Sequence, residues 1–444
     1  MGTGVNGLVG EIPAALRAVV SPRVGIVAAV EECMVDVDEP PLVRVSCELA
    51  ATEEVLGSRI ASVRSSGGAG TSVGQAAGGA IGEAIERYSA GFVPLERLVT
   101  ATAAELGPLA TDPDAYGLFA DSQYDRRGFP YSRFTRTTRL PWVEALELGT
   151  GRRTWVPAEL VYLEDVGRPD CERIGYATSN GLACAATPEE ALERALLELL
   201  ERDAFMVAWW RRCSPPRLDW AENEWMVAAD ERYFQPPGLD YAALDLSSVH
   251  GVPIVAAVVR GSPGSGAALG VGAAAAPRVE DAWWRALAEA YASRSACRKL
   301  RLLDPSRQYA ADGSDVACFE DHICFYGDDA RAELAAFLWS NAETRSARDV
   351  PRLSANSGER LDQIVAAIGR AGSAAFAVDV TAPDVAALGL HVIRAVAPGL
   401  CPLDAVHAAR FLGSKRLVTR SEMDTLTCSI RGVDDLNQLP HPFP

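Results

Sequence analysis

The chain has 444 residues, 48% of them hydrophobic, and a formal net charge of −17. That acidity argues against sequence-independent nucleic-acid binding and against anionic membranes, which both need positive surface, and no apolar run reaches the ~18 residues of a transmembrane helix. The start lacks the basic-then-apolar pattern of a signal peptide, and ten cysteines stand singly without a C-x-x-C pair, so reduced thiols in a cytoplasmic protein are expected rather than a disulfide framework or structural zinc.

In chain order, residues 1–20 read as a loose lead with one short apolar helix. Strand-like runs follow at 24–30 and 42–49. Residues 65–82, rich in Gly, Ser and Ala, run into a first acidic helix. Residues 105–170 are turn-rich, with short strands at 142–148 and 153–157. A long helix is expected over 188–210. Thr187 suits its N-cap, Pro188 its first position, and Glu189 and Glu190 its positive end. Pro215-Pro216 breaks the chain after it. A strand at 253–259 and a third helix over 279–301 come next, while 303–327 and 341–356 read as irregular. Helices at 329–339 and 361–370 precede strands at 375–380 and 390–396, which flank a short helix after Pro383. Strands and helices intermix without strict alternation, so the expected fold class is α+β, or mixed α/β. One large domain over 21–436 is expected, with a proline-rich tail over 437–444.

Two near-identical pieces carry the chemistry: Glu83-Ala-Ile-Glu86-Arg87 and Glu198-Leu-Leu-Glu201-Arg202. Positions i, i+3 and i+4 share one helix face, so each piece presents two carboxylates beside an arginine. If the two helices face each other, Glu83, Glu86, Glu198 and Glu201 converge. Convergent hard oxygen donors suit Mg2+, which commonly arrives with a phosphate. A single E-x-x-E-R is ordinary on a solvated helix, and a further copy at Glu190-Ala-Leu-Glu193-Arg194 shows how readily it arises. At 100° per residue, Glu190, Arg194, Glu198, Glu201 and Arg202 fall in an arc of roughly 120°. Leu192, Ala195, Leu196, Leu199 and Met206 form the neighbouring stripe. The charged strip lines a cleft or faces water.

Gly70-Thr-Ser72-Val-Gly74 matches the G-x-S-x-G nucleophile elbow. It lies in a stretch rich in both residues, with no convincing strand before it, so a serine hydrolase is not expected. The same stretch lacks the G-K-[ST] ending of a P-loop. Trp209, Trp210, Trp283 and Trp284 read as core or groove aromatics. Pro440-His-Pro442-Phe-Pro444 is stiffened into an extended form that can hold a carboxylate at a fixed site. A disordered tail, or a ligand for a proline-reading partner, is the plainer reading.

Together these segments resemble the YcaO family, from about residue 20 to the end. The markers are Gly82-Glu-Ala-Ile-Glu-Arg-Tyr-Ser89, Ser179-Asn-Gly-Leu182, and Glu189-Glu-Ala191 leading into Glu198-Leu-Leu-Glu-Arg-Asp203. Further on come Ala286-Leu-Ala-Glu289 with Arg294, Asp379-Val-Thr381, Pro398-Gly-Leu400 and the P-x-P-x-P end. The resemblance implies a YcaO-type fold and an ATP-dependent cyclodehydratase. In that reaction a Cys, Ser or Thr side chain of a ribosomal precursor peptide attacks the preceding carbonyl. ATP phosphorylates the amide oxygen, and loss of phosphate leaves a thiazoline or oxazoline. Thiopeptides and other antibiotics are products of this chemistry.

By residue, the resemblance assigns Glu83, Glu86, Glu198 and Glu201 to Mg2+. It assigns Glu190, Arg294, Arg87 and Arg202 to the nucleotide. Glu86, Glu201 and the carboxylate of Pro444 are implied in catalysis. The implied partners are the precursor peptide and a separate ThiF-like or other leader-binding protein, because no extra leader-reading domain is evident. A homodimer is expected, and neither nucleic acid nor membrane. Some positions depart from the family pattern. Ala69 stands where a lysine is frequent, Gly79 where a serine is common, Ala186 where an asparagine is, and Ala183 where some members have serine. A charge-assisted hydrogen bond to the nucleotide contributes ~1.5–3 kcal/mol, so each departure of this kind weakens binding by that order. These departures motivate an alternative: a nucleotide-impaired family member serving as a scaffold or peptide-binding subunit.

Overall fold

Three sheets with long helices between them make up the computed structural model, which describes residues 8, 10–50, 65–166, 168–419, 426, 428 and 432–444. Residues 1–7 and 9 of the expected lead lie outside the described residues. Within the lead stands one helical turn, Ala14–Arg17.

The first sheet is antiparallel, in the order β1 (Val27–Glu32), β2 (Val43–Leu49) and β3 (Ser65–Gly70). A strand therefore does precede Ser72, against the sequence reading. Glycine is what builds it. A Cβ on Gly68 would fall 2.0 Å from the Ala76 carbonyl oxygen, so bare backbone lets helix α1 (Val73–Gly91) lie directly on β3. Ser72 is the N-cap of α1, its Oγ accepting the Gln75 N–H at 3.3 Å. The apparent elbow serine is a helix cap.

The chain continues through β4 (Val99–Thr102), β5 (Arg139–Glu147), β6 (Arg152–Pro157) and β7 (Leu182–Ala185) to α2 (Pro188–Trp210). Then come β8 (Arg217–Asp219), β9 (Asp240–Asp245), β10 (Ile254–Arg260), β11 (Leu269–Ala275) and α3 (Val279–Leu303). Last are α4 (Phe319–Phe325), β12 (Thr344–Ser346), α5 (Ser357–Arg370), β13 (Phe376–Asp379) and β14 (His391–Val396). The second sheet runs β4-β5-β13-β14-β7, with β6 on β5, and the third runs β11-β10-β9-β8-β12. α4 and β12 correct the reading of 303–327 and 341–356 as irregular. Seven helical residues are too few to show a period. The three residues of β12 extend only because they pair in parallel with β8.

α2 is the hinge of the architecture. Thr187 Oγ1 accepts the Glu190 N–H at 3.2 Å, as its N-cap position predicts. The helix packs on β14 and β7 on one side and on β11 on the other. Its later turns are buried all round, with Phe205, Trp209 and Trp210 in the core. α3 lies along β11 and β10. Again glycine permits the contact: Cβ atoms on Gly270 and Gly272 would meet the Ala290 and Ala286 carbonyl oxygens at 2.2 and 2.5 Å. Pro440 to Phe443 are buried. Tyr326 Oη donates to the Pro440 carbonyl at 2.6 Å, and the His322 ring stacks on His441. Among the described residues, no helix is long and apolar enough to cross a membrane.

Candidate active site

A cavity of about 390 Å3 opens where the second and third sheets meet across α2. Glu86 of α1, Glu198, Glu201 and Arg202 of α2, and Glu289 of α3 line it, beside β7 and β11. Both strands end their sheets, so their outward N–H groups have no strand partner. The carboxylates take them. Glu86 Oε1 accepts the Cys184 N–H at 2.7 Å, Glu201 Oε2 the Ala275 N–H at 2.9 Å, and Glu289 Oε2 the Ala273 N–H at 2.8 Å. Each of these bonds fixes one oxygen of its carboxylate on rigid strand backbone.

Negative charge is crowded here. Burial, then the charge of Glu198, holds Glu86 well above the ordinary carboxylate range. Glu198 is pushed up to about 7, by burial first. Glu201 and Glu289 are raised as well, again by burial first, with Arg202 opposing. Arg202 stands among them, 3.3 Å from Glu201 and 3.5 Å from Glu198. Its Nε and Nη1 make no hydrogen bond. Four carboxylates and one arginine line the cavity with surplus negative charge, although no three of these acids bring oxygens within 4.8 Å of one another. Hard oxygen donors of this kind suit a divalent cation such as Mg2+. The unfilled donors of Arg202 fit a phosphate arriving with it.

The structure brings together Glu86, Glu198, Glu201 and Arg202, as the doubled motif predicts. Glu83 sits at the rim, not on the cavity wall. Its Oε1 pairs with Arg87 Nη2 at 2.6 Å, and its Oε2 accepts the Gly67 N–H at 3.1 Å. Glu190 is exposed and pairs with Arg194, which does line the cavity. Arg294 is fully buried elsewhere: its Nη2 donates to Asp38 at 2.6 Å. Arg298 and Arg294 together hold Asp38 down at about 2. Pro444 follows Phe443, whose buried ring lies 4.2 Å from the Arg202 guanidinium and 4.8 Å from the Phe205 ring.

Two residues escaped the sequence reading of the site. Glu289 was visible only as part of the Ala286-Leu-Ala-Glu289 marker, since a lone acid on α3 has no doubled motif to flag it. Arg394 of β14 is buried, donating to the Thr178 and Leu160 carbonyls at 2.6 and 3.0 Å. Burial lowers it to about 10, against the pull of Glu198.

Among known proteins, a family model described as YcaO cyclodehydratase, ATP- and Mg2+-binding, matches residues 67–401. An uncharacterized protein of Methanothermobacter thermautotrophicus is 30% identical over 193 residues, 43% of this chain and 46% of that protein. An uncharacterized protein of Rhizobium leguminosarum bv. trifolii, in the tfuA 3' region, is 30% identical over 126 residues, 27% of this chain and 29% of that protein. The chain thus spans less than half the length of the curated relatives it matches. A heterocyclase in complex with substrate and cofactor has a similar fold, with a TM-score of 0.78, 24% identity, and coverage of 99% of this chain and 57% of that chain. The heterocyclase TruD is similar at 0.65 and 26%, over 83% of this chain and 50% of that one. YcaO from Methanopyrus kandleri, bound with AMPPCP and Mg2+, shares the fold at 0.58 and 21%, over 84% and 86%. The matched span contains all three helices of the acid cavity, and the chain belongs to the YcaO family, whose members bind ATP and Mg2+.

Proposed function

We propose that this chain forms thiazolines or oxazolines in a ribosomal precursor peptide by ATP-dependent cyclodehydration. The observation that carries the reading is the cavity lined by four carboxylates and Arg202. Per ring, the side-chain sulfur or oxygen bonds to the preceding carbonyl carbon, and the carbonyl oxygen leaves as phosphate. The S–H or O–H proton and the amide N–H proton are given up as the C=N bond forms. The peptide loses one water, and ATP becomes ADP and phosphate.

ATP supplies the phosphoryl group that makes an amide oxygen a leaving group, and Mg2+ neutralises the triphosphate. Glu86, Glu198, Glu201 and Glu289 would hold Mg2+ brought with the triphosphate, with Glu83 and Arg87 at the rim of the cavity. The strand N–H groups beneath three of these acids set their orientation before the ligand arrives. Arg202 would face the phosphates, and the Phe443 ring covers its guanidinium face and keeps water off it. Pro444, next to that ring, is proposed to offer its carboxylate as proton acceptor or organiser. Glu190 and Arg294 are proposed to act from outside the cavity wall, through Arg194 and Asp38 respectively.

By analogy with the heterocyclase that holds a substrate, the substrate is a Cys-, Ser- or Thr-containing peptide. A ThiF-like or other leader-binding protein is the proposed partner, the chain itself working as a homodimer in the cytoplasm. The nucleotide-impaired scaffold is the second reading, and Gly79 favours it: a Cβ there would stand in ordinary contact, 3.7 Å from Gly68 Cα. Packing therefore leaves room for the serine that this chain lacks. The test is incubation with precursor peptide, partner and Mg-ATP, read by mass spectrometry. Loss of one water per ring is expected, and no loss with any partner refutes the cyclodehydratase.

A further inference from the structure

Resting on that reading, the amide to be phosphorylated must touch the phosphate end of the nucleotide. Its seat therefore shares a wall with the acid cavity. A second cavity, of about 80 Å3, meets this condition. Arg202 lines both cavities, and Arg394, whose charge reaches Glu198, lines the second with Tyr116, Tyr176, Leu199 and Phe411. None of the residues lining it is a carboxylate.

Its donors are unfilled. Arg394 donates Nη1 and Nη2 to the Thr178 and Leu160 carbonyls, while its Nε has no partner, and Arg202 Nη1 has none. A buried donor left unpaired costs ~1–3 kcal/mol, and both guanidiniums line this one cavity, so a small turn of either side chain gives the acceptor of a ligand a partner. The Tyr176 and Phe411 rings stack on each other 4.8 Å apart, so the pair meets the cavity as one rigid apolar wall. The volume matches about three waters at ~30 Å3 each. That is enough for a small Cys, Ser or Thr side chain.

We infer that this cavity seats the residue to be cyclised, with the carbonyl oxygen of the amide before it against the free donors of Arg202 and Arg394. Those donors then stabilise negative charge as it gathers on that oxygen. Arg394 is, on this inference, a catalytic residue for the peptide half of the reaction, as the four acids are for the nucleotide half.

Ala177 lines the cavity from a half-buried loop, so Ala177→Phe fills it with little disturbance of the core. With a peptide that the wild type cyclises, the variant should raise peptide KM at least about ten-fold or stop ring formation. Calorimetric binding of Mg-ATP should be unchanged. Arg394→Lys keeps the charge and loses the planar fork; kcat should fall ~10²–10³-fold while peptide KM holds. Wild-type kcat and KM in Ala177→Phe overturn the inference and leave the cyclodehydratase standing. Loss of Mg-ATP binding in Ala177→Phe also overturns it, because the lesion would then lie in the acid cavity. If the wild type cyclises no peptide with any partner, the cyclodehydratase reading fails and the inference with it.

Discussion

Glu201 bonds the Ala275 N–H at the open edge of β11 and lies 3.3 Å from Arg202. Glu201→Gln keeps an oxygen for that N–H and removes one charge from a crowded set. Turnover should fall at least ~100-fold, beyond the loss typical of outer-shell metal partners, as read by phosphate release. The metal-free melting temperature should hold or rise, and a clear drop would make Glu201 structural instead. The doubled E-x-x-E-R was legible because helix periodicity alone puts its acids on one face. Glu289 was not, because its place depends on which strand edge α3 lies against. The Arg294 partner was not legible either: Asp38 lies on a loop 256 residues away.

At the scale of elements, helix ends and long amphipathic runs could be read directly, as α2 with its Thr187 cap shows. Strands β3 and β11 could not, since Gly67, Gly68, Gly70, Gly270 and Gly272 look like breaks in a strand pattern. Their reason is tertiary: helix backbone lies where side chains would be. Gly68→Ala should therefore destabilise the fold by ~1–3 kcal/mol, the range for forced overpacking, in a urea melt. It should also weaken Mg2+ binding, because the neighbouring Gly67 N–H holds Glu83. Unchanged stability would mean that α1 does not sit on β3 as described.

Across the whole molecule, the C-terminal segment ties α4, the 404–410 stretch and α2 together through buried histidines. Burial lowers His322 to about 4; burial, then Arg410, lowers His407 to about 3; His441 is also held well down. Unfolded histidine titrates near 6.5, so below that the unfolded chain takes protons that the folded chain refuses, and stability is lost as pH falls towards 4. Asp404, raised to about 8 by burial, acts oppositely. So do Glu86, Glu198, Glu201 and Glu289, all raised by burial, so five groups gain stability as pH falls against three that lose it. Each unbalanced group is worth up to ~1.4 kcal/mol per pH unit. Melting temperatures at pH 7 and pH 5 isolate the histidine part: His407→Gln should gain stability relative to the wild type on going from pH 7 to pH 5, and an unchanged or falling difference contradicts it. None of this was legible in the sequence, where five scattered histidines show no pattern.

The central claim is that three helices build a Mg-nucleotide site on the edges of two sheets. Calorimetry with AMPPCP and Mg2+ tests it most directly, because it needs neither peptide nor partner. Micromolar binding by the wild type, lost on omitting Mg2+ and lost in Glu198→Gln/Glu201→Gln, is the predicted result. A silent titration with the folded wild type, or equal binding by the double variant, would contradict it.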